Sequence, residues 1–503
     1  MAIVKLNGAR LAPLRLGIIF PWIVAVSLLL LALFGWLSYD YVRGIPDFLG
    51  CPWPDPIAYL TQAKMMAAGH LSAPTPVFPE FFDEDCCLNY HGRFFGKYPP
   101  GWPALLAIGL KCGFPWMVNP ILTVAALLLV YVFARKFFDP LTGIIAFTFA
   151  SVSATILWGA TGYFSEPLAF LSTTLLVFCS LLALKESGRL WSLTAGASLG
   201  ILFCTHPSTA FAMCVPVAGV WTAAAIRDQG RWMRGIFFAI GAVPLFILHF
   251  AYNRHLTGAP FTFPHSLFCV YDRLGFGLRA PGNHYPPTYY GPGHIPYNII
   301  SQVKEVALLA APLSPLFIGA LLIKPVRKIE WFFLLTAASF VGFHAFFHTA
   351  TVRYHNPAMA IISIACAVGL TKIAKWLLGA EKAGAGALVA AALLCFASAA
   401  TIAAPIAIFE SKGQSAFMDP FLKVKAARIE NALVVIRSAP PGSFSNYFTQ
   451  NAPDFSGPVL YANHLGMRDT AIFSLYPSRK DYYYDFDPVS GKGALSPVFS
   501  SLP

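Results

Sequence analysis

Long apolar runs separated by short basic loops set the rhythm of this chain. The runs near 17–39, 116–134, 141–158, 167–184, 190–206, 208–226, 235–252, 301–323, 330–348, 357–376 and 386–408 approach or exceed the roughly 20 residues a helix needs to cross a bilayer. They predict a mainly α, polytopic membrane protein with about eleven transmembrane helices. The apolar stretch 101–113 is short and bounded by proline, and is expected at the interface. Between 40 and 115 the pattern changes to Pro, Gly and aromatic residues. There Asp55-Pro56 opens a helix with Ile57, Leu60, Ala63 and Met66 on one face, the spacing of an amphipathic helix lying flat on a membrane. After 408 the chain becomes more polar. Residues 432–436 and 458–462 read as strands and a Tyr-rich stretch follows at 482–486. The expected organisation is a transmembrane domain over 1–408, with outer loops 40–115 and 253–300, and a small mixed α/β domain outside the membrane over 409–503.

Charge gives the orientation. Arg135/Lys136, Lys185/Arg189, Arg227/Arg231/Arg234, Lys324/Arg327/Lys328 and Lys372/Lys375/Lys382 all fall on the side of the basic N-terminus. The positive-inside rule makes that side cytoplasmic, which leaves the C-terminal domain outside. Composition agrees with a membrane protein: 57% of the 503 residues are hydrophobic and 12% charged, against roughly 25% charged in soluble domains. The net charge of +12 therefore reports orientation before partners, and no basic run or reader motif points to nucleic acid. The first apolar run is too long for a signal-peptide core and lacks a small-residue cleavage site, so it reads as an uncleaved first helix. The chain carries no eukaryotic targeting signal, and a bacterial inner membrane is the expected location. Cys51, Cys86, Cys87 and Cys269 lie in expected outer loops, where a disulfide from Cys51 to Cys86 or Cys87 is open. No Cys/His spacing reads as a zinc site.

Candidate chemistry gathers at the outer mouth of the spans. Arg353, within the stretch from His348 to Pro357, is a cation at a membrane boundary, where a lipid phosphate is the available anion. A snorkelling anchor formed with Tyr354 is the plainer reading. Asp55 and Glu166 fall on the same outer side, although an acidic residue before proline is also an ordinary helix cap. His206, at a tight outer turn before Pro207, could meet a phosphate or sugar hydroxyl, or serve only the turn. Glu80, Asp83, Glu84 and Asp85 carry enough oxygen for Ca²⁺ or Mg²⁺, yet an acidic loop is more often just solvated, and that reading is favoured. The 253–300 loop is dense in polar and aromatic groups, among them His265, Tyr271 and Arg273, and it suits either sugar and phosphate contacts or a lid without contacts.

Several motifs together resemble the GT-C superfamily. They are Pro54-Asp55-Pro56-Ile57-Ala58-Tyr59, Gly96-Lys97-Tyr98-Pro99-Pro100-Gly101-Trp102-Pro103, Gly162-Tyr163-Phe164-Ser165-Glu166-Pro167, and Arg353-Tyr354 ahead of Pro357. The resembled branch contains protein O-mannosyltransferases, the lipid A aminoarabinose transferase and rhizobial galacturonosyltransferases, and the resemblance covers roughly residues 10–380. It implies a GT-C helical bundle and an inverting, polyprenyl-phosphate-dependent glycosyltransferase acting on the periplasmic side. It implies Asp55 as general base, with membrane burial raising its pKa toward the working pH, and Glu166 as the second acidic residue. Arg353 would bind the donor phosphate with help from Lys97 or His206, and Tyr59, Tyr98, His265, Tyr271, Arg273 and Tyr354 would line the substrates. Glu166 would orient a substrate or join Asp55 around a divalent cation, Mg²⁺ or Mn²⁺. Partners would be the lipid-linked donor, membrane lipids and an acceptor that is a glycan, a lipid or a protein. The sequence departs from the family at Pro56, where relatives often have Glu, and at His206, where they often have Arg. A transporter or flippase of lipid-linked glycans and a non-catalytic envelope-assembly scaffold are the rival readings.

Overall fold

In a computed structural model of the chain, residues 16–41, 54–186, 188–227, 232–282, 285–307, 315–348, 352–403, 418–438 and 450–498 are described. Helix α1 (Leu16–Tyr41) exposes Trp22, Leu28, Leu29 and Trp36, an apolar belt suited to lipid. Helix α2 (Pro54–Ala67) leads into a small antiparallel sheet of β1 (Ala73–Pro74), β2 (Cys87–Tyr90) and β3 (Arg93–Gly96), ordered β1-β3-β2. After α3 (Gly101–Lys111) the bundle continues with α4 (Val118–Phe137), α5 (Pro140–Ser151), α6 (Ala154–Thr161), α7 (Glu166–Glu186), α8 (Arg189–Thr205), α9 (Pro207–Arg227) and α10 (Trp232–Thr257). The next loop holds α11 (Pro264–Phe268) and a hairpin of β4 (Gly277–Arg279) and β5 (Thr288–Tyr290). Then come α12 (Ile295–Glu305), α13 (Pro315–Leu322), α14 (Lys328–His344), a 3₁₀ turn over Val352–Ala358 and the long α15 (Met359–Ser398).

Each expected span contains helix, with local departures that hydropathy does not record. The 141–158 run is two helices bent by 61° at Val152-Ser153. Asp139 starts the first of them: its carboxylate accepts from the Thr142 backbone N–H at 2.8 Å and Pro140 supplies the preset φ of the first turn. The 301–323 run is covered by α12 and α13, with 308–314 outside the described residues. The spans expected at 357–376 and 386–408 belong to one helix bent at Gly379, whose φ of +73° suits only a residue without Cβ. Among the described residues six helices are by themselves long and apolar enough to cross a membrane, or seven with the bent pair. Helices α8 and α14, at 17 residues each, fall just short on length.

The chain ends in a second layer. Helix α16 (Asp419–Ala426), β6 (Ala432–Ile436), β7 (Val459–Asn463), α17 (Asp469–Leu475), β8 (Lys480–Asp487) and β9 (Lys492–Pro497) form a four-stranded sheet with a helix on each face. Its order is β7-β6-β8-β9, parallel across the first three strands and antiparallel at the last. The central strand β6 is buried along its whole length, as an unbroken Ala-Leu-Val-Val-Ile run requires.

This layer corrects the expectation for α2. Rather than lying on a membrane with one apolar face, α2 is buried from Pro56 to Ala63. Ile57, Tyr59, Leu60 and Ala63 share one core with Trp102 and Leu106 of α3 and with Leu433, Val434 and Leu460 of the C-terminal sheet. The other side, Ala58 and Met65, packs with Cys86, Cys87 and Phe94. The polar positions that made the helix look amphipathic find hydrogen-bond acceptors inside. Thr61 donates to Glu84 at 2.6 Å, and Gln62 donates to Tyr252 at 2.8 Å and to the Tyr98 carbonyl at 3.0 Å.

Glycine sets the closest helix approach. A Cβ at Gly196 would collide with the Phe238 carbonyl, and one at Gly241 with the Leu193 carbonyl, so α8 and α10 pack backbone to backbone in the manner of small-residue membrane interfaces. Gly196→Val is expected to cost about 2 kcal/mol or more by overpacking and to lower the apparent melting temperature of detergent-purified protein. Gly219→Ala, with open space around it, should leave it unchanged. Equal melting temperatures for the two variants would show that α8 and α10 do not approach this closely.

Candidate functional site

Residues from five segments converge where α2, β3 and the 264–280 loop meet the bundle. Lys97 follows β3 and is only 6% exposed. Its ammonium lies 4.5 Å from the Phe268 ring centre and 5.3 Å from that of Tyr98. Burial alone would lower its pKa, but Cys86, Asp55, Asp272 and Tyr354 act in the opposite direction and the balance is upward. The ammonium therefore stays charged in a place where a lone charge would be costly.

Asp55, in the first turn of α2, accepts a hydrogen bond from the Tyr98 hydroxyl, and the Cys86 thiol approaches the same oxygen at 3.8 Å. Burial and the neighbouring Asp55 raise the Tyr98 pKa, which keeps the phenol protonated as the donor. The Cys86 thiol is pushed up to about 11, chiefly by burial and against the pull of Lys97. Tyr98 is held at its backbone, where its carbonyl accepts from Gln62 and from the Tyr252 hydroxyl at 3.3 Å. The Tyr59 ring packs against that of Tyr98 with centres 4.3 Å apart and planes tilted by 42°, and the Tyr59 hydroxyl meets Ser165 at 2.9 Å. Ser165 in turn meets His206 Nε2 at 2.8 Å.

Glu166 begins α7 and is 4% exposed. The segment before it is pinned by Trp102, which donates to the Tyr163 carbonyl at 2.9 Å, and by Asn119, which donates to the Phe164 carbonyl at 2.9 Å. Helix α7 packs against the 3₁₀ turn that carries Tyr354. Arg353 lies in that turn, and its side chain is outside the described residues.

Of the residues singled out from sequence, Asp55, Lys97, Tyr98, Tyr59, His206 and Tyr354 belong to this network. His265 joins it indirectly, 3.1 Å from Asp272, whose carboxylate acts on Lys97. Tyr271 and Arg273 are exposed on the loop and do not join it. Cys86, expected only as a disulfide candidate, Ser165, quoted only within a motif, and Asp272, one polar residue of the 253–300 loop, were not among the expected site residues. Cys51, and with it the disulfide question, lies outside the described residues.

The acidic cluster departs from the solvated reading. Glu84 is buried, Glu80 pairs with Arg468 of the C-terminal layer, and Asp83 is exposed. Among the described residues no three His, Cys, Asp or Glu side chains are arranged to hold a metal ion.

No protein-family model and no curated protein matches the chain. Solved structures do. ArnT from Cupriavidus metallidurans bound to undecaprenyl phosphate is similar over 96% of this chain and 98% of that one, at 12% identity and a TM-score of 0.60. The apo state of ArnT from the same organism is similar over 92% and 88%, at 14% identity and a TM-score of 0.58. The likeness is one of fold.

Burial pushes the Glu84 carboxyl up to about 7, while the Thr61 hydrogen bond and Lys64 pull it down and Asp85 adds to the rise. The folded state therefore holds a proton that the unfolded chain releases near the ordinary value of 4.5, and stability falls as pH rises from 4.5 to about 7. Glu84→Gln removes this loss, which is on the order of 3 kcal/mol. The melting temperature of the variant should gain on wild type across that interval and run parallel above it. Parallel curves throughout would show that Glu84 ionises freely.

Proposed function

Starting from a GT-C fold, we propose that the chain is an inverting glycosyltransferase that moves a sugar from a polyprenyl-phosphate donor to an acceptor hydroxyl on the periplasmic face of a bacterial inner membrane. The observation that carries this reading is the Tyr98-held Asp55 carboxylate near enough to the buried Lys97 ammonium to favour its charged form. An attacking hydroxyl needs a base on one side of the anomeric carbon and a phosphate leaving group needs a cation on the other.

In this mechanism Asp55 takes the proton of the acceptor hydroxyl as its oxygen attacks the anomeric carbon in line. The bond from that carbon to the phosphate oxygen breaks, and the new glycosidic bond forms with inversion. The electron pair leaves with polyprenyl phosphate, whose growing charge is met by Lys97 and, in this proposal, by Arg353. Tyr98 fixes the orientation of Asp55, so that the base is preorganised. The buried Tyr59–Ser165 hydroxyl pair holds the His206 imidazole in place, and in this proposal His206 meets a sugar hydroxyl. Glu166 orients donor or acceptor from the start of α7. The described residues offer no metal cluster, and no step is routed through a metal.

Purified protein given radiolabelled polyprenyl-phosphate sugars and a membrane extract should move label to an acceptor. Asp55→Asn should reduce transfer by at least about 100-fold, in keeping with loss of a general base, without loss of folding. Lys97→Ala and Arg353→Ala should chiefly weaken use of the donor. Wild-type turnover in Asp55→Asn would remove that residue from the mechanism. Absence of transfer from every donor, with polyprenyl phosphate still bound, would favour the carrier reading.

A further inference from the structure

The C-terminal layer contains a polar row that the transfer site does not use. In an open sheet with parallel strands, ligands bind at the carboxyl ends of the strands, where successive connections leave in opposite directions. Here β6 and β8 are parallel neighbours. The chain leaves β6 toward β7 on one side and leaves β8 toward β9 on the other. The carboxyl ends of β6 and β8 therefore form such a switch point.

The side chains there are arranged across the strands. Ile436 is in register with Asn463 of β7 and Tyr484 of β8, so the next residues, Arg437, His464 and Asp485, continue as one row. Arg437 donates to Asp485 through Nε at 3.0 Å and also through Nη2. Its guanidinium lies 4.2 Å from the ring centre of Tyr483, two residues before Asp485 on the same face of β8. His464 Nδ1 meets Asp469 Oδ2 at 2.5 Å, and the other oxygen of Asp469 accepts from the Leu465 backbone N–H at 2.8 Å. Asp469 is 1% exposed, whereas the side chains of His464, Arg437 and Asp485 are 36%, 39% and 40% exposed. A buried carboxylate thus holds a half-exposed imidazole by one nitrogen, and its Nε2 edge is not used by that bond.

The charges choose the ligand class. Arg437 is balanced by Asp485, and His464 is backed by Asp469, so the row has no excess of positive charge with which to attract an anion. It alternates imidazole, guanidinium and carboxylate, that is, donors and acceptors side by side, and the Arg437 side chain is partly exposed. Neighbouring hydroxyls on a sugar ring present the complementary pattern. We propose that Arg437, His464 and Asp485 form a binding site for an uncharged glycan in the C-terminal layer, separate from the Asp55–Lys97 centre. The site deepens the transferase reading, on which its biological meaning rests, by giving this layer the task of holding acceptor glycan.

The test is saturation-transfer difference NMR on the full chain in lipid nanodiscs, with a panel of methyl glycosides of neutral hexoses and their short oligomers. Saturable binding of at least one neutral sugar is expected. Arg437→Ala and His464→Ala should each weaken it roughly tenfold or more, the effect of removing a charged hydrogen-bond partner. Arg437→Lys should restore it only partly, because the fork on Asp485 is lost. Melting temperatures of the variants identify any that fail to fold, and Asp485→Asn, which keeps the side-chain shape, provides an independent variant that should also weaken binding. No saturable binding by any member of the panel, binding unchanged in folded variants, or preference for a sugar phosphate over the neutral sugar would overturn the proposal. Binding does not require turnover, so sugar bound without transfer would leave the site standing and remove the transferase reading alone.

Discussion

The ammonium of Lys97, buried at the mouth of a lipid-embedded bundle, is the charge around which the neighbouring structure is organised. An ion taken out of water loses several kcal/mol of solvation unless opposite charge and hydrogen bonds replace it. The groups around it come from separate parts of the chain, and the carboxylates of Asp55 and Asp272 supply the opposite charge. Asp55 arrives on α2, Cys86 beside β2, Asp272 on the loop after α10, and Tyr354 on the turn before α15. None is near Lys97 in sequence except Cys86. The membrane helices act as the frame that brings these loops to one point, and the loops supply the chemistry.

The frame and the site are held by different forces. Between α8 and α10, and between α13 and α15, glycines let helix backbones meet, so dispersion contacts and close fit dominate. Around Asp55 the contacts are polar, and they are fixed by a hairpin whose Cys86 adopts a φ of +64°, a conformation uncommon for a residue with a side chain. That conformation brings the Cys86 carbonyl to the Lys97 N–H at 2.9 Å and its thiol toward Asp55. Surroundings that over-determine a residue in this way are typical of functional sites.

The bundle was legible in the sequence because hydropathy is a property of contiguous residues. The strands at 432–436 and 458–462 were legible for the same reason. What escaped depends on partners far away in the chain. Thr61 and Gln62 look like the wet side of an amphipathic helix until Glu84, Tyr98 and Tyr252 are seen to bond them. Glu84 sits among acidic neighbours and reads as solvated, yet Phe82 beside it packs against Phe455 from the other end of the chain and closes the interior. The bend at Val152-Ser153 leaves the apolar pattern intact, so no periodicity reveals it. At the site, the motifs before α3 and α7 pointed to Lys97, Tyr98 and Glu166. Asp272 carried no comparable signal within a loop crowded with polar residues.

The core that α2 shares with the C-terminal sheet also bears on how the protein is made. Ile57 and Leu60 are synthesised several hundred residues before the strands carrying Leu433 and Leu460. At roughly 5–20 residues per second, the apolar side of α2 must wait on the order of tens of seconds for its covering. During that interval it is a sticky surface at the edge of the membrane, and Asp55 at its head has no finished setting. Enclosure of α2 is thereby tied to translation of the C-terminal sheet, so that a nascent chain halted before that sheet has its membrane helices but lacks the cover over α2.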